Sequence, residues 1–308
     1  MNVFFNPFEN RLRSFWRILV VNGAILFSMV FIQVLLRLDT MLFPFLSGLL
    51  VMGIIYSLGT KIDLRKASDF GLSSNFSHLK EVFLGTLAAI SVMSLLFFSA
   101  YFFGWIDIKS SFFESNFLTS NRVFNHLYYF IFMVVVGFYE EIWTRGYLLL
   151  NLKEGFAFSN SDDIEDRNLA GISLSWPIIL AVLLSSGFFT FLHIGNPNVN
   201  IFATVNIFLA GIVLALPFIL TGRLGFSVGL HIGWNYAQGG IFGWAVSGTM
   251  AKGNLISVEQ IPLYEHINGG AFGPEGGILG TVGLLMMMAL SLLWWRKGAF
   301  RLRSMTTV

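Results

Sequence analysis

The chain has 308 residues and a formal net charge of +2; 55% of its residues are hydrophobic and 12% are charged. Ordinary soluble domains have about twice this fraction of charged residues, so the composition excludes that class and indicates a membrane protein. The small net charge and the scattered basic residues exclude a nucleic-acid partner. Because there is no cysteine, disulfides, thiolate nucleophiles and cysteine metal sites are excluded as well.

Apolar runs of about 18 or more residues, the length that a helix needs to cross the hydrocarbon core, recur along the chain. They are continuously apolar rather than alternating, which favours helices over a β-barrel. The expected fold class is therefore all-α, a polytopic membrane helical bundle of about eight transmembrane helices. Their approximate ranges are 15–36, 41–59, 80–104, 127–150, 176–195, 201–221, 224–247 and 278–295.

The N-terminal segment, MNVFFNPFENRLRSFWRILV, places aromatic residues and arginines before the first apolar run, without a small-residue cleavage site. We interpret it as a retained signal-anchor with an interfacial aromatic belt. If the N-terminus is inside, most of the 19 basic residues lie in cytoplasmic segments. The positive-inside rule thus predicts a multi-pass protein of the cell membrane with both termini cytoplasmic.

The fourth span contains ionisable residues in the stretch FYEEIWTRG, where each charge costs at least a few kcal/mol. Glu141 and Arg145 are four residues apart, with the acid on the N-terminal side, which favours an ion pair within the helix. Glu140 points about 100° away around the helix and is left without a local partner. An isolated buried carboxylate is disfavoured in its charged form, so Glu140 requires either a partner from another helix or its neutral, protonated form.

Between the fourth and fifth spans, the polar stretch Ser159–Arg167, SNSDDIEDR, predicts a solvated loop. The fifth span ends in FFTFLH, in which Phe189 and His193 share a face, and the seventh carries LHIGWN, in which His231 and Asn235 do. A carboxylate, two imidazoles and an amide from three helices have the parts for hydrolysis: a base, an orienting imidazole and donors for an oxyanion. Glu140, His193 and His231 are also suitable zinc ligands.

The last connection, Asn268–Gly283, is dense in glycine. This composition predicts either a segment whose backbone approaches other elements closely, such as a re-entrant turn, or a flexible loop before the eighth span. By organisation, the chain has three predicted parts. They are the first three spans with the interfacial N-terminus (1–126), a core of five spans (127–295) and a basic cytoplasmic tail (296–308).

Three motifs of the core resemble those of a known family. EEIWTR at Glu140–Arg145, FTFLH at Phe189–His193 and HIGWN at His231–Asn235 are similar, in order, to the EExxxR, FxxxH and HxxxN motifs of the CPBP intramembrane proteases. That family includes the CAAX prenyl endopeptidases and the bacteriocin-processing and self-immunity (Abi-type) proteins of bacteria. The resemblance covers roughly residues 127–295, the expected protease core.

The resemblance implies an intramembrane endopeptidase, a hydrolase, with a cavity that is open to one face of the membrane and that a peptide or protein substrate enters. By motif, Glu140 with His193 activates a water, and His231 with Asn235 stabilises the oxyanion. Glu141, Arg145 and Phe189 are supporting residues. No cofactor is firmly implied: metal-independent water activation is favoured, and a divalent metal such as zinc is the alternative.

The expected substrate is a membrane-associated peptide, either prenylated or of the leader type. Two other functions stay open from the sequence. One is a catalytically silent membrane scaffold or bacteriocin self-immunity protein with the same fold. The other is a proton-coupled transporter that uses Glu140 and the histidines as a relay.

Overall fold

The structure is a computed structural model that describes residues 3–7, 9–36, 42–73, 75–111, 120–157, 167–169 and 172–305. It is mostly helical. The α-helices are α1 (Ser14–Leu36), α2 (Leu42–Ile54), α3 (Thr60–Asp63), α4 (Phe76–Phe102), α5 (Ser120–Glu141), α6 (Leu150–Phe156), α7 (Trp176–His193), α8 (Ile201–Thr221), α9 (Gly225–Asn235), α10 (Glu265–Asn268) and α11 (Ile278–Met305). The strands are β1 (Phe5–Asn6), β2 (Arg11–Leu12), β3 (Ile106–Ser110), β4 (Arg167–Leu169), β5 (Ile172–Leu174) and β6 (Ser257–Gln260). They pair antiparallel as β1 with β2, β3 with β6 and β4 with β5.

In the described ranges, seven helical stretches are long and apolar enough to cross a membrane. They are Ser14–Val34, Phe45–Asp63, Phe76–Phe102, Asn121–Phe156, Trp176–His193, Ile201–Thr221 and Ile278–Gly298. The chain is thus a multi-pass helical membrane protein, and the predicted fold class is confirmed. The acidic loop predicted between the fourth and fifth spans lies mostly outside the described residues.

The seventh predicted span, 224–247, is shorter than expected. Helix α9 has 11 residues, all buried, and a π-helical continuation, Tyr236–Ile241, completes it. The chain then turns at Gly243, whose φ of 66° is left-handed. Residues 242–247 are apolar and mostly buried without being helical, and hydropathy alone does not separate a buried loop from a helix.

Two π-helical segments directly follow predicted site residues. Ile142–Leu149 begins after Glu141, and Tyr236–Ile241 begins after Asn235. π-Helical turns are rare and are frequent at functional sites, because the extra residue in the turn redirects the side chains around it. Two of the three motif-bearing helices, α5 and α9, therefore change their geometry next to the residues of interest.

Contacts divide the chain into two compact units. The first unit contains residues 1–74 and 135–188, and the second contains residues 75–134 and 189–308. These units are defined by contacts, whereas the three parts predicted from the sequence (1–126, 127–295 and 296–308) are defined by position along the chain. The boundaries of the three parts stay a prediction. Each unit is described by itself below.

The first unit is held by a buried ionic network at the end of α6. Arg17 lies 2.9 Å from Glu154 and 3.5 Å from Asp63, measured between nitrogen and oxygen atoms. The Asn151 amide donates to Asp63 at 2.7 Å, and the Tyr147 hydroxyl donates to the main-chain oxygen of Arg17 at 3.0 Å. These charges are taken out of water only because each has a partner. The network joins α1, α3 and α6, which continues the helix that carries Glu140 and Glu141.

In the second unit, α9 packs against α4 through glycines spaced four residues apart: Gly225, Gly229 and Gly233. A Cβ atom added at Gly229 would lie 2.1 Å from the Val82 oxygen, and one at Gly233 would lie 2.4 Å from the Thr86 oxygen. The two backbones are therefore in direct contact, as in membrane helices with small residues at every fourth position.

The glycine-dense segment before α11 is packed rather than loose. Gly269 and Gly273 adopt φ values of 86° and 97°, which favour glycine. A Cβ atom at Gly273 would lie 2.0 Å from the Ala245 oxygen. Short 3₁₀ turns at Gly270–Phe272 and Pro274–Gly276 complete the segment. Of the two alternatives, the close approach of the backbone is the one observed.

Candidate active site

The predicted ion pair of the EExxxR motif is present in the first unit. Arg145 Nη1 lies 2.9 Å from Glu141 Oε1, and the exposed fractions of the two side chains are 1% and 0%. Arg145 also donates to the Thr144 hydroxyl at 2.7 Å. Water does not reach this ion pair. The positive charge of Arg145 therefore stabilises the buried Glu141 carboxylate in place of water.

Glu140 was expected to lack a local partner, and this expectation is wrong. The Tyr139 hydroxyl donates a hydrogen bond to Glu140 Oε1 at 3.0 Å. A helical wheel separates neighbouring residues by about 100°, but a phenol is long enough to span that angle. Tyr139 lies against Gly48 of α2, where an added Cβ atom would be 2.6 Å from the tyrosine ring. Gly48 thus leaves the space in which Tyr139 reaches the carboxylate.

His193 is the last residue of α7, and its ring is fixed by a hydrogen bond. Its Nδ1 atom lies 2.7 Å from the main-chain oxygen of Phe189, one turn earlier. A carbonyl oxygen only accepts hydrogen bonds, so Nδ1 carries the hydrogen. In the neutral ring, Nε2 is then the nitrogen with the lone pair. The local helix thus selects the tautomer in which His193 can take up a proton at Nε2.

Phe189 brings the two motif histidines of the second unit together. Its ring centroid lies 4.6 Å from that of His193 and 6.2 Å from that of His231, edge-on to the latter. The Phe189 side chain is 4% exposed and packs in a cluster with Ala203, Ile207 and Phe272. The Phe189 ring therefore contacts both imidazoles, and its supporting role in the reaction stays a prediction.

His231 and Asn235 lie one turn apart on α9, with exposed fractions of 7% and 9%. At about 100° per residue, His231 points about 200° away from Gly229 and Gly233, which face α4. One face of α9 therefore serves close packing and the opposite face carries the motif. The sequence signal for this division, a glycine at every fourth position, was missed by reasoning from the polar residues alone.

Sequence reasoning also missed Glu275, a carboxylate of the glycine-dense segment. Its Oε1 atom accepts from Trp234 Nε1 at 3.0 Å, and its Oε2 atom accepts from the Ser247 main-chain nitrogen at 2.9 Å. Trp234 is the tryptophan of the HIGWN motif. A single acid among glycines and apolar residues is the signal that would have identified it.

The predicted site residues fall in both units. Glu140, Glu141 and Arg145 belong to the first, and Phe189, His193, His231 and Asn235 belong to the second. The joint action of Glu140 and His193 on one water stays a prediction. Within each unit, no three described His, Asp or Glu side chains are arranged to hold a metal ion. The alternative zinc set draws on both units and also stays a prediction.

A comparison with family models matches residues 122–237 to "Type II CAAX prenyl endopeptidase Rce1-like". The matched range contains all three motifs, from Glu140 to Asn235. No curated protein and no solved structure matches the chain significantly.

Proposed function

Since residues 122–237 of the chain match the Rce1-like CAAX proteases, which are hydrolases, we propose that the protein cleaves peptide bonds with a water activated by Glu140 and His193. The coarser function, an intramembrane CAAX-type endopeptidase, follows from the family. The residues that carry the reaction and the nature of the substrate are the content of the proposal.

The observation that most supports the proposal is the hydrogen bond from His193 Nδ1 to the Phe189 oxygen, at 2.7 Å. It leaves Nε2 of the neutral ring as a proton acceptor, which is the property that a general base requires. The buried Glu141–Arg145 pair supports the division of labour between the two glutamates, because a compensated carboxylate is a poor base.

In the proposed reaction, Glu140 and His193 together take one proton from a water molecule. The water oxygen forms a bond to the carbonyl carbon of the scissile peptide, and the carbonyl oxygen becomes negative. His231 and the Asn235 amide donate hydrogen bonds to that oxygen. When the carbon–nitrogen bond breaks, the proton held by the Glu140–His193 pair passes to the leaving amine, and a carboxylic acid and an amine are released.

The proposed substrate is a membrane-associated peptide, prenylated at its C-terminus or of the leader type, which enters from the lipid bilayer. Seven of the described helical stretches are long and apolar enough to cross a membrane, so a lipid anchor would concentrate the substrate in the bilayer that holds the enzyme. We propose that both termini are cytoplasmic, on the distribution of basic residues.

Zinc is the alternative means of activating the water. Glu140, His193 and His231 would hold it. His193 would bind through Nε2, since its Nδ1–H donates to a main-chain carbonyl, a contact common among histidines that bind zinc. A bound zinc lowers the pKa of its water to about 7. Dialysis against a chelator, followed by metal analysis and assay, separates the two forms of the proposal.

The test is hydrolysis of fluorogenic peptides by the full chain in lipid nanodiscs. A prenylated CAAX peptide, its unprenylated counterpart and a leader-type peptide are compared. Glu140→Gln and His193→Ala are each expected to lower kcat by about 10²- to 10⁴-fold, the contribution of a general base. Glu259→Gln, in the exposed pair with Lys109, is the matched control. Equal hydrolysis by the wild type and Glu140→Gln would overturn the proposal and favour a contaminating activity or a silent scaffold.

A further inference from the structure

The carboxylate of Glu275 lies outside the three motifs but contacts one of them. We propose that Glu275 is a positioning residue: through the indole of Trp234 it fixes the turn of α9 that carries His231 and Asn235. The inference rests on the proposed endopeptidase function and adds a residue to it. Trp234 follows His231 by three positions and directly precedes Asn235, so a constraint on its ring constrains that turn.

The Glu275 carboxylate accepts hydrogen bonds on both oxygens. Trp234 Nε1 donates to Oε1 at 3.0 Å. The Ser247 main-chain nitrogen and hydroxyl donate to Oε2 at 2.9 Å and 3.2 Å. The indole is thus tied to a group that is itself tied to a separate loop.

The main chain at Glu275 is anchored to α8, so the position from which its side chain extends is fixed. Asn206 Nδ2 donates to the main-chain oxygen of Glu275 at 2.8 Å and to the main-chain oxygen of Gly277 at 2.9 Å. The Thr281 hydroxyl donates to Asn206 Oδ1 at 2.7 Å. Asn206 is 2% exposed, and a buried amide with these partners does not rotate freely.

The loop that supplies Ser247 is a tight turn held in a strained conformation. Ser247 and Gly248 have φ values of 46° and 81°, and Val246 pairs with Thr249 across them. A serine in the left-handed region costs about 1 kcal/mol or more unless its surroundings require it. The turn directs the Ser247 N–H group at Glu275, which is a reason for the strain.

The same turn links the segment to the other histidine helix. The Gly248 N–H group donates to the Phe272 oxygen at 2.9 Å, and the Phe272 ring is buried in the cluster that contains Phe189. Phe189 contacts both His193 and His231. The glycine-dense segment therefore contacts α9 through Glu275 and the end of α7 through Phe272.

Only a carboxylate serves all of these donors. A glutamine has one acceptor oxygen, so its NH₂ group would face the indole N–H or the Ser247 N–H, and that donor would lose its partner. An aspartate is one methylene shorter and would not reach both groups. Glu275→Gln is thus a nearly isosteric variant that breaks the hydrogen bonds on one side while retaining the volume.

The kinetic test compares Glu275→Gln, Trp234→Phe and the double variant in nanodiscs with the peptide that the wild type cleaves best. We expect kcat per folded protein to fall about 10- to 100-fold in each single variant, the effect of a small misplacement of a catalytic group. KM should stay within about threefold, because substrate contacts remain. The double variant should be no slower than the slower single one, since both single variants disrupt the same chain of contacts from Trp234 through Glu275 to Ser247. Glu259→Gln should be unchanged.

A second readout does not depend on activity. In ¹⁵N-tryptophan-labelled protein, the Trp234 indole resonance is assigned by its loss in Trp234→Phe. It should shift in Glu275→Gln and not in Glu259→Gln. An active wild type whose kcat is unchanged in both single variants would overturn the positioning role alone, as would an unmoved indole resonance. An inactive wild type would overturn the proposed function and the positioning role with it. If Glu275→Gln does not fold, Trp234→Phe tests the same contact from the other side.

Discussion

The carboxylates of Glu141 and Glu275 both lie within the folded protein, but they are stabilised in different ways. Glu141 is paired with a cation four residues away on its own helix, at 2.9 Å. Glu275 is held by neutral donors from residues 28 and 41 positions away. The first arrangement is local and formed as soon as the helix forms. The second exists only when α9, the 246–249 turn and the glycine-dense segment are in place.

This difference in partners determines how each carboxylate can contribute to the site. A local ion pair makes a charge tolerable in an apolar helix without constraining other elements. A carboxylate with distant donors fixes elements relative to each other, and it does so without adding a second charge. The first unit relies on charge pairs, at Glu141 and around Glu154, whereas the motif helix α9 of the second relies on close backbone packing and on a hydrogen bond from a neutral donor, the Trp234 indole.

The largest expected effect comes from breaking the local pair. Arg145→Met removes the observed cation beside buried Glu141 and should destabilise the protein by about 3–5 kcal/mol, because half of a buried pair leaves a charge poorly compensated. Glu141→Gln combined with Arg145→Met should recover most of this loss. The measurement is unfolding by denaturing detergent, followed by far-UV circular dichroism. A single variant that loses less than about 1 kcal/mol would contradict the assignment.

The close packing of α9 is tested by Gly229→Ala. The new Cβ atom would lie 2.1 Å from the Val82 oxygen, and the other nearest atoms are also backbone of α4. The helices must therefore separate, at a cost of about 1–3 kcal/mol, and the His231 turn should move with them. Peptide hydrolysis and unfolding are measured together.

The matched control for Gly229 is Gly187→Ala, at a helical position where an added Cβ atom meets nothing within 4 Å. Alanine is favoured over glycine in a helix by about 1 kcal/mol, so this variant should be neutral or slightly stabilising. If both variants behave alike, the loss at Gly229 would not be due to contact with α4.

Tyr139→Phe should have a smaller effect than either. It removes the hydrogen bond to Glu140 Oε1 at 3.0 Å but keeps the ring that packs against Gly48. Stability should change by about 1 kcal/mol, the net value of one hydrogen bond. If Tyr139 orients the Glu140 carboxylate, kcat should fall severalfold while KM is retained. An unchanged kcat would restrict Tyr139 to packing.

The site features that could be predicted from the sequence are those that depend on local contacts. The Glu141–Arg145 pair, the Phe189–His193 turn and the His231–Asn235 face depend on a spacing of four residues, which the helix period supplies. The membrane helices follow from the length of apolar runs. The Tyr139 contact was missed because a helical wheel ignores the length of a side chain.

Other features depend on tertiary structure and have no periodic signal. The end of α9 at the turn around Gly243 is hidden in an apolar stretch. The contacts of Glu275 require a strained Ser247 and an anchoring Asn206 from other elements. The sequence offered the glycines of this segment as a sign of close approach, but not what the backbone approaches.

The smallest effect is expected at the exposed pair of Lys109 and Glu259, which join β3 and β6. Both side chains are more than half exposed, and ion pairs in water contribute little. The hydrogen bond from Lys109 to Glu259 raises the pKa of the lysine above its usual 10.5. Any contribution is thus fully present below pH 10.5 and lost as the pH rises through the raised pKa, so a neutral assay lies on its plateau. Glu259→Gln should therefore leave the unfolding midpoint and kcat unchanged at pH 7. A loss of stability as large as that expected for Arg145→Met would mean that the exposed pair contributes as much as the buried one. The contrast between buried and exposed ion pairs would then be wrong.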